Sequence, residues 1–230
     1  MTATYTLRRF RDRHEAGRLL GELVAPEVEG EDVVVLALPR GGVEVGYEVA
    51  SRLGAPLDVL LVRKLGVPWQ PELAFGAIAT GDVVVINQDH VSALGIHQGL
   101  IRDVVTRERL ELERRERLYR EDRKPIRLAG KTVVVVDDGI ATGSTARAAL
   151  ESLAKRGVAR RIVACPVAAA ETVPGLEDEA DLVLCLETPS NFFAVGAWYE
   201  DFQPVSDDEV RRLLAEASGA VEGGERSRTP

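Results

Sequence analysis

Val133-Val134-Val135-Val136-Asp137-Asp138-Gly139-Ile140-Ala141-Thr142-Gly143-Ser144-Thr145 is the stretch from which the fold can be read. Four consecutive valines predict a strand buried on both faces, as in a parallel sheet. Two adjacent carboxylates, Asp137 and Asp138, stand where that strand ends. A turn rich in Gly, Ser and Thr follows, and Ala146 to Leu153 reads as a helix. In open α/β sheets ligands bind at the carboxyl ends of strands. The free N–H groups of such a turn, the positive end of the helix dipole and the Thr and Ser hydroxyls together favour an anion. The two carboxylates are wrong for a phosphate, but they can accept hydrogen bonds from vicinal hydroxyls or hold a divalent metal. A phosphate next to a diol is a sugar phosphate. No Lys follows Gly143, so a Walker A loop is disfavoured.

Outward from this stretch, strand and helix alternate. Asp12 to Val24 reads as an amphipathic helix with Ala16, Leu19, Leu20 and Leu23 on one stripe. Val33 to Leu38 reads as a strand running into the turn Pro39-Arg40-Gly41-Gly42, with a helix from about Val43 to Leu53. A further strand is expected over Leu57 to Val62, ending at Arg63-Lys64. Gly66, Pro68 and Pro71 favour a loop from Leu65 to Leu73. Phe75 to Ala79 and Val83 to Ile86, joined by Thr80-Gly81-Asp82, read as a β-hairpin. Arg161 to Pro166 and Leu182 to Leu186 complete the strands. This alternation predicts an α/β fold, a mostly parallel twisted sheet with helices on both faces. We expect one domain over residues 1–217, with a polar, Gly-rich tail at 218–230 that is disordered. Residues 88–127, helical and crowded with Arg and Glu, read as an insertion. It is either a solvated helix packing along one seam or a dimer arm or lid, so a homodimer is one outcome.

Composition narrows the class. The chain has 230 residues, 45% hydrophobic and 29% charged, enough for a full core. A net charge of −8 argues against a general nucleic-acid or anionic-membrane binder, because no excess cation is present to neutralise phosphates. No run reaches the length of a membrane span, and Met1 to Leu20 has no apolar signal-peptide core. Cys165 and Cys185 fall in apolar strand-like segments and read as small buried hydrophobes in a reducing compartment. The expectation is a cytoplasmic protein.

The string from Val133 to Thr145 closely resembles the phosphoribosyl-pyrophosphate (PRPP) motif of the type I phosphoribosyltransferases: a hydrophobic strand, two acids, a short turn, then Thr-Gly-x-Thr. The resemblance implies that Ala141, Thr142, Gly143, Ser144 and Thr145 grip the 5-phosphate, and that Asp137 and Asp138 hold the ribose hydroxyls and stand near a metal. The turn Leu38 to Gly42 resembles the family's pyrophosphate loop. Its glycines, Gly41 and Gly42, allow close backbone approach, and Arg40 supplies a forked donor. Arg63 and Lys64 stand where the family often carries a basic residue near the leaving group, and the sequence does not say which points inward. Leu65 to Ile86 occupies the place of the family's mobile catalytic loop, with Trp69 either an anchor or an exposed aromatic.

Asn191-Phe192-Phe193-Ala194-Val195-Gly196-Ala197-Trp198-Tyr199-Glu200-Asp201-Phe202 loosely resembles the hood of purine-type members, whose Phe-x-Val-Gly string is followed by an acid, and places a hood at about residues 187–205. By that match Phe193 stacks on the base, Ala194 offers backbone contacts, and Glu200 or Asp201 lies near a metal pyrophosphate. The other reading of this run is an aromatic packing cluster that caps the core. Members acting on 6-oxopurines usually carry an acid where this chain has Ala141, so hypoxanthine and guanine are disfavoured. The resemblance implies transfer of the phosphoribosyl group from Mg2+-bound PRPP to a nitrogenous acceptor with release of pyrophosphate. Arg40, Lys64, Asp137 and Asp138 would carry the catalysis. A PRPP-binding regulator without transfer activity is the alternative.

Overall fold

The computed structural model describes residues 9–121 and 123–226 of the chain. In chain order its elements begin with α1 (Arg13–Val24), β1 (Val33–Ala37), α2 (Gly41–Leu53) and β2 (Leu57–Val59). The strands β3 (Val62–Val67), β4 (Gln70–Ala79) and β5 (Val83–Ile86) follow, then the helices α3 (Gln88–Ala93) and α4 (Gln98–Arg120). The chain continues with β6 (Thr132–Val136), α5 (Ser144–Ala154), β7 (Arg160–Val167), α6 (Val173–Glu177), β8 (Leu182–Glu187) and α7 (Asp207–Arg226).

The five-stranded sheet has the order β2-β1-β6-β7-β8, and every neighbouring pair is parallel. The valine run behaves as its composition demands. Val134 and Val136 face a core built with α1, α2, α4 and α7, while Val133 and Val135 face a second core built with α5 and α6. Each fully buried Val side chain contributes on the order of 1.5–3 kcal/mol. Helices on both faces thus cover a sheet whose strands have no polar side to show to water. Cys165 and Cys185, free thiols at paired positions of β7 and β8, lie with their Sγ atoms 3.5 Å apart.

The first helix is turned relative to the expected stripe. Its buried residues are Arg13, Ala16, Gly17, Leu20, Gly21 and Val24, while Leu19 and Leu23 are only half-buried. The reason is close packing on α2: a Cβ on Gly17 would lie 2.8 Å from Glu48 Cβ, and one on Gly21 would lie 2.9 Å from Arg52 Cβ. Bare backbone is what lets these two helices meet. Asp12 caps α1, its Oδ1 accepting from the Glu15 amide at 2.7 Å.

The segment expected to form one strand over Leu57 to Val62 divides between two sheets. β2 ends at Val59, Leu60 and Leu61 cross over, and β3 opens an antiparallel sheet of order β3-β4-β5. Residues 65–73, expected as a loop, extend the hairpin instead. The breakers are absorbed locally: the β3–β4 register shifts around Gly66, Pro68 and Trp69 make the turn, and Pro71 stands near the start of β4.

The Arg/Glu-rich segment packs along one seam. Ile101, Val104, Leu112 and Tyr119 of α4 enter the same core as α7, and Arg120 Nε donates to both carboxylate oxygens of Asp58 at 3.1 Å. The tail also departs from expectation, since α7 continues through Arg226. Val210, Leu213 and Leu214 anchor its first turns in the core, and a helix once nucleated extends at low cost. Residues 227–230 lie outside the described residues. No helix among the described residues is long and apolar enough to cross a membrane.

Candidate active site

Strands β1 and β6 are neighbours in register, Ala37 opposite Val136, so the segments that leave their carboxyl ends emerge side by side. Leu38 donates its amide to Val136 O at 2.8 Å, which carries the pairing one residue beyond the strands. From β1 the chain turns through Pro39-Arg40, a cis peptide, directly into α2 at Gly41. From β6 it passes through Asp137 and Asp138 into the turn that starts α5 at Ser144. Two helix N-termini therefore flank one pair of carboxylates.

The turn before α5 is braced from behind. Ile140 pairs with Ala168, its amide donating to Val167 O at 2.8 Å. Thr172 Oγ1 donates to Ala141 O at 2.5 Å. Gly143 caps α5 at φ 71°, the left-handed region where only Gly is unstrained. The turn's hydroxyls sit on its outer side, Thr142 Oγ1 and Ser144 Oγ 2.9 Å apart, and Thr145 is exposed beside them. Backbone N–H groups in the first turn of any helix lack intrahelical acceptors. An anion at Ala141–Thr145 would meet both sets of donors.

The two glycines after Arg40 are needed for contact with the acids. A Cβ on Gly42 would lie 2.8 Å from Val136 O and 3.0 Å from Asp137 Cα. A Cβ on Gly41 would overlap the carboxylate of Asp138 and approach Arg13 Nε to 2.9 Å. Arg40 itself is exposed at the cap of α2.

The two acids are not equivalent. Asp138 Oδ2 accepts from Arg13 Nε at 2.8 Å, and its side chain is only 16% exposed. Asp137 Oδ1 accepts from the Asp138 amide at 2.9 Å. Burial, reinforced by the neighbouring Asp138 charge, pushes the Asp137 carboxyl well above the usual carboxylate range. Tyr199 donates its hydroxyl to Asp138 O at 2.6 Å, and burial raises that phenol far above its ordinary value.

Arg13 is the site residue the sequence reading missed. It is 6% exposed. Its Nη1 donates to Gln203 O at 2.9 Å and lies 3.6 Å from Glu44 Oε2, and its guanidinium sits 3.8 Å from the Phe202 ring centroid. A signal was available: Arg13 falls on the buried stripe 13-16-20-24, and a cation on an inward stripe demands a partner. The glycines on that stripe disguised it.

Of the basic pair, the structure separates the two members. Arg63 turns away to α4, where its Nη2 meets Glu108 Oε2 at 2.6 Å. Lys64 lines a cleft of about 460 Å3 together with Thr142, Ser144, Arg147 and His90, between the β4–β5 hairpin and the first turns of α5. Trp69, at the tip of the β3–β4 turn, is 67% exposed.

The aromatic run divides as well. Trp198 and Tyr199 are buried with Phe10, and Tyr199 and Phe202 stack at 5.1 Å, the capping cluster that was the other reading of this run. Phe193 is the exception, 95% exposed beside an exposed Ala194. Glu200 and Asp201 are exposed, with their amides donating to Phe10 O and Arg11 O. No hydrogen bond or ion pair among the described residues ties either carboxylate to Asp137 or Asp138.

Comparison with known proteins identifies the family. A family model described as a phosphoribosyl transferase domain matches residues 12–201. A Mycobacterium tuberculosis protein assigned in name to the phosphoribosyl transferases is 48% identical over 208 residues, 90% of this chain and 47% of its own length. The chain thus spans about half the length of that relative. A protein of Chloroflexus aurantiacus named bifunctional protein PyrR is 35% identical over 125 residues, 54% of this chain and 63% of its own. The crystal structure of TT1426 from Thermus thermophilus superposes with a TM-score of 0.83 at 44% identity, covering 90% of this chain and 98% of that one.

Proposed function

The chain belongs to the phosphoribosyl transferase family, and on that premise we propose that it transfers the phosphoribosyl group of PRPP to a nitrogenous acceptor and releases pyrophosphate. One observation carries the reading: the N-termini of α2 and α5 flank Asp137 and Asp138 at adjacent strand ends. The order of groups, helix N-terminus, acid pair, helix N-terminus, suits a ligand with an anion at each end and a diol between. The 5-phosphate sits on Ala141–Thr145 at the start of α5. The pyrophosphate takes the start of α2, with Gly41, Gly42 and Arg40, and Lys64 stands on the hairpin side, in the cleft it shares with Thr142 and Ser144. Asp137 and Asp138 accept hydrogen bonds from the ribose hydroxyls.

In the reaction the bond from the anomeric carbon to the pyrophosphate oxygen breaks as a bond to the acceptor nitrogen forms. Positive charge develops on the ribose ring, and negative charge on the departing oxygen. The fixed dipoles of α2 and the cationic side chains stabilise the latter without reorganising at the moment of reaction. The acid pair holds the ring in place beneath the acceptor, which is the positional share of catalysis. Mg2+ fits the oxygen donors here, and Asp137, a half-buried carboxylate to which no cationic side chain among the described residues is bonded, is the group that would hold it. When bound, the metal supplies positive charge to the pyrophosphate. Phe193, exposed on the hood, is the ring available to a flat acceptor.

Pyrophosphate release from PRPP, measured with Mg2+ against purine, pyrimidine and pyridine acceptors, tests the proposal. Acceptor-dependent release is expected, and it names the acceptor. Folded protein that fails to bind PRPP at all would refute it. PRPP binding without release for any acceptor would favour a regulator that senses PRPP.

A further inference from the structure

Arg13 stands outside every motif of the site and yet touches four parts of it. Its Nε holds Asp138 Oδ2 at 2.8 Å. Its Nη1 donates to Gln203 O of the hood at 2.9 Å and faces Glu44 of α2 at 3.6 Å. Its guanidinium lies over Phe202, 3.8 Å from the ring centroid. Gly41 of the loop after β1 packs so tightly on the same ion pair that a Cβ there would lie 2.9 Å from Arg13 Nε. An arginine whose only role was to bind α1 to the rest of the fold would not need to end on one of the two acids.

We propose that Arg13 is a positioning residue that aims Asp138 at the ribose diol, by holding Oδ2 through Nε and leaving Oδ1 as the oxygen that accepts from a hydroxyl. This rests on the reading of the acid pair as a diol clamp. The geometry explains why an arginine stands there. The planar fork donates from Nε and Nη1 in fixed directions, so one side chain ties the acid to the hood while its face rests on Phe202. A lysine ammonium is a single point charge and cannot keep all three contacts. Without Arg13, Asp138 would be free to turn its carboxylate away from the diol.

The test compares ribose 5-phosphate with 2,3-dideoxyribose 5-phosphate by calorimetry on the full chain, with inorganic phosphate as a third probe. The wild-type protein should prefer the diol by about tenfold or more, tenfold being about 1.4 kcal/mol. In Arg13→Gln that preference should fall close to one, while phosphate affinity stays within about twofold of wild type. Arg13→Lys should recover part of the preference. A purely structural role predicts something else: all three affinities fall together and the preference survives, and that result would overturn the proposal. If Arg13→Gln does not fold, as judged by its melting curve, Arg13→Lys carries the test alone, and an unchanged preference there refutes it. A wild-type protein that binds ribose 5-phosphate without any preference would instead sink the diol clamp itself, and the proposal with it. Because that failure shows in the unmutated chain, the two are told apart.

Discussion

Gly41→Ala puts a single methyl group where the loop after β1, the acid pair and the N-terminal helix meet. The added Cβ would sit 2.5 Å from Asp138 Cγ and 2.9 Å from Arg13 Nε. Ordinary non-bonded contact is about 3.5 Å or more, and Asp138 Oδ2 would be nearer still than Cγ, so something must give by well over about 1 Å. The neighbours are poorly placed to do so. Asp138 is pinned by Arg13, Arg13 by Gln203 O and Phe202, and the loop by Leu38 N on Val136 O. Overpacking of this kind costs about 1–3 kcal/mol. If relief comes by breaking the Arg13–Asp138 pair, a charged hydrogen bond worth about 1.5–3 kcal/mol goes with it. For a chain of this size each kcal/mol lowers the melting temperature by about 2–4 °C, so a fall of several degrees is expected. The functional loss should be larger than the stability loss, because the same shift displaces Asp138 and the start of α2 together. We expect PRPP affinity to drop by at least about tenfold, equivalent to about 1.4 kcal/mol. Thermal melts and calorimetric PRPP titrations on wild type and variant decide the matter. A variant that melts with wild type and binds PRPP equally would show that the loop does not rest on the ion pair as described.

Arg63 and Lys64 should separate by phenotype. Arg63→Ala leaves the buried Glu108 without its closest cation and costs about 1–3 kcal/mol of stability with little change in PRPP affinity, whereas Lys64→Ala weakens PRPP binding and leaves the melt nearly unchanged. The reverse pattern in melts and titrations would overturn the assignment. Asp137 is raised by burial and by Asp138; an acid that holds its proton more tightly when folded gives most stability below its unfolded value near 3.8 and loses it as pH climbs towards the folded value. Asp137→Asn should therefore melt above wild type at neutral pH while losing PRPP affinity, and a lower melting temperature would contradict this. Burial, then the hydrogen bond to Asp207, pushes the Tyr119 phenol up to about 12. Its stabilisation is present below the ordinary value of 10.0 and is lost as pH rises from there towards about 12. Tyr119→Phe should cost about 1 kcal/mol at pH near 8, with the gap to wild type narrowing above pH 10, and a gap that stays constant across an alkaline series of melts would refute it.

Much of this protein was legible locally. Val133–Val136 is apolar at every position, as a strand buried on both faces of a parallel sheet must be, and the alternation of strands and helices around it made the fold class legible. The turn Ala141–Thr145 was legible for the same kind of reason. Gly143 needs a left-handed dihedral, the hydroxyls flank it, and a helix follows, all within a few residues. The antiparallel sheet was half legible, because Gly66, Pro68 and Pro71 forbid regular strand geometry only until a bulge and a turn absorb them. What tertiary structure alone decided concerns residues distant in sequence. Whether Arg63 or Lys64 faces the cleft depended on Glu108 of α4, whose position no local pattern states. Whether the aromatic run stacks a ligand or fills a core depended on Phe10 and Arg13, almost the whole chain away. Periodicity records which way a side chain points relative to its own helix or strand, and so it can show that Arg13 faces inward. It holds nothing about what waits there, because the Asp138 carboxylate arrives by chain topology, across 125 residues of sequence.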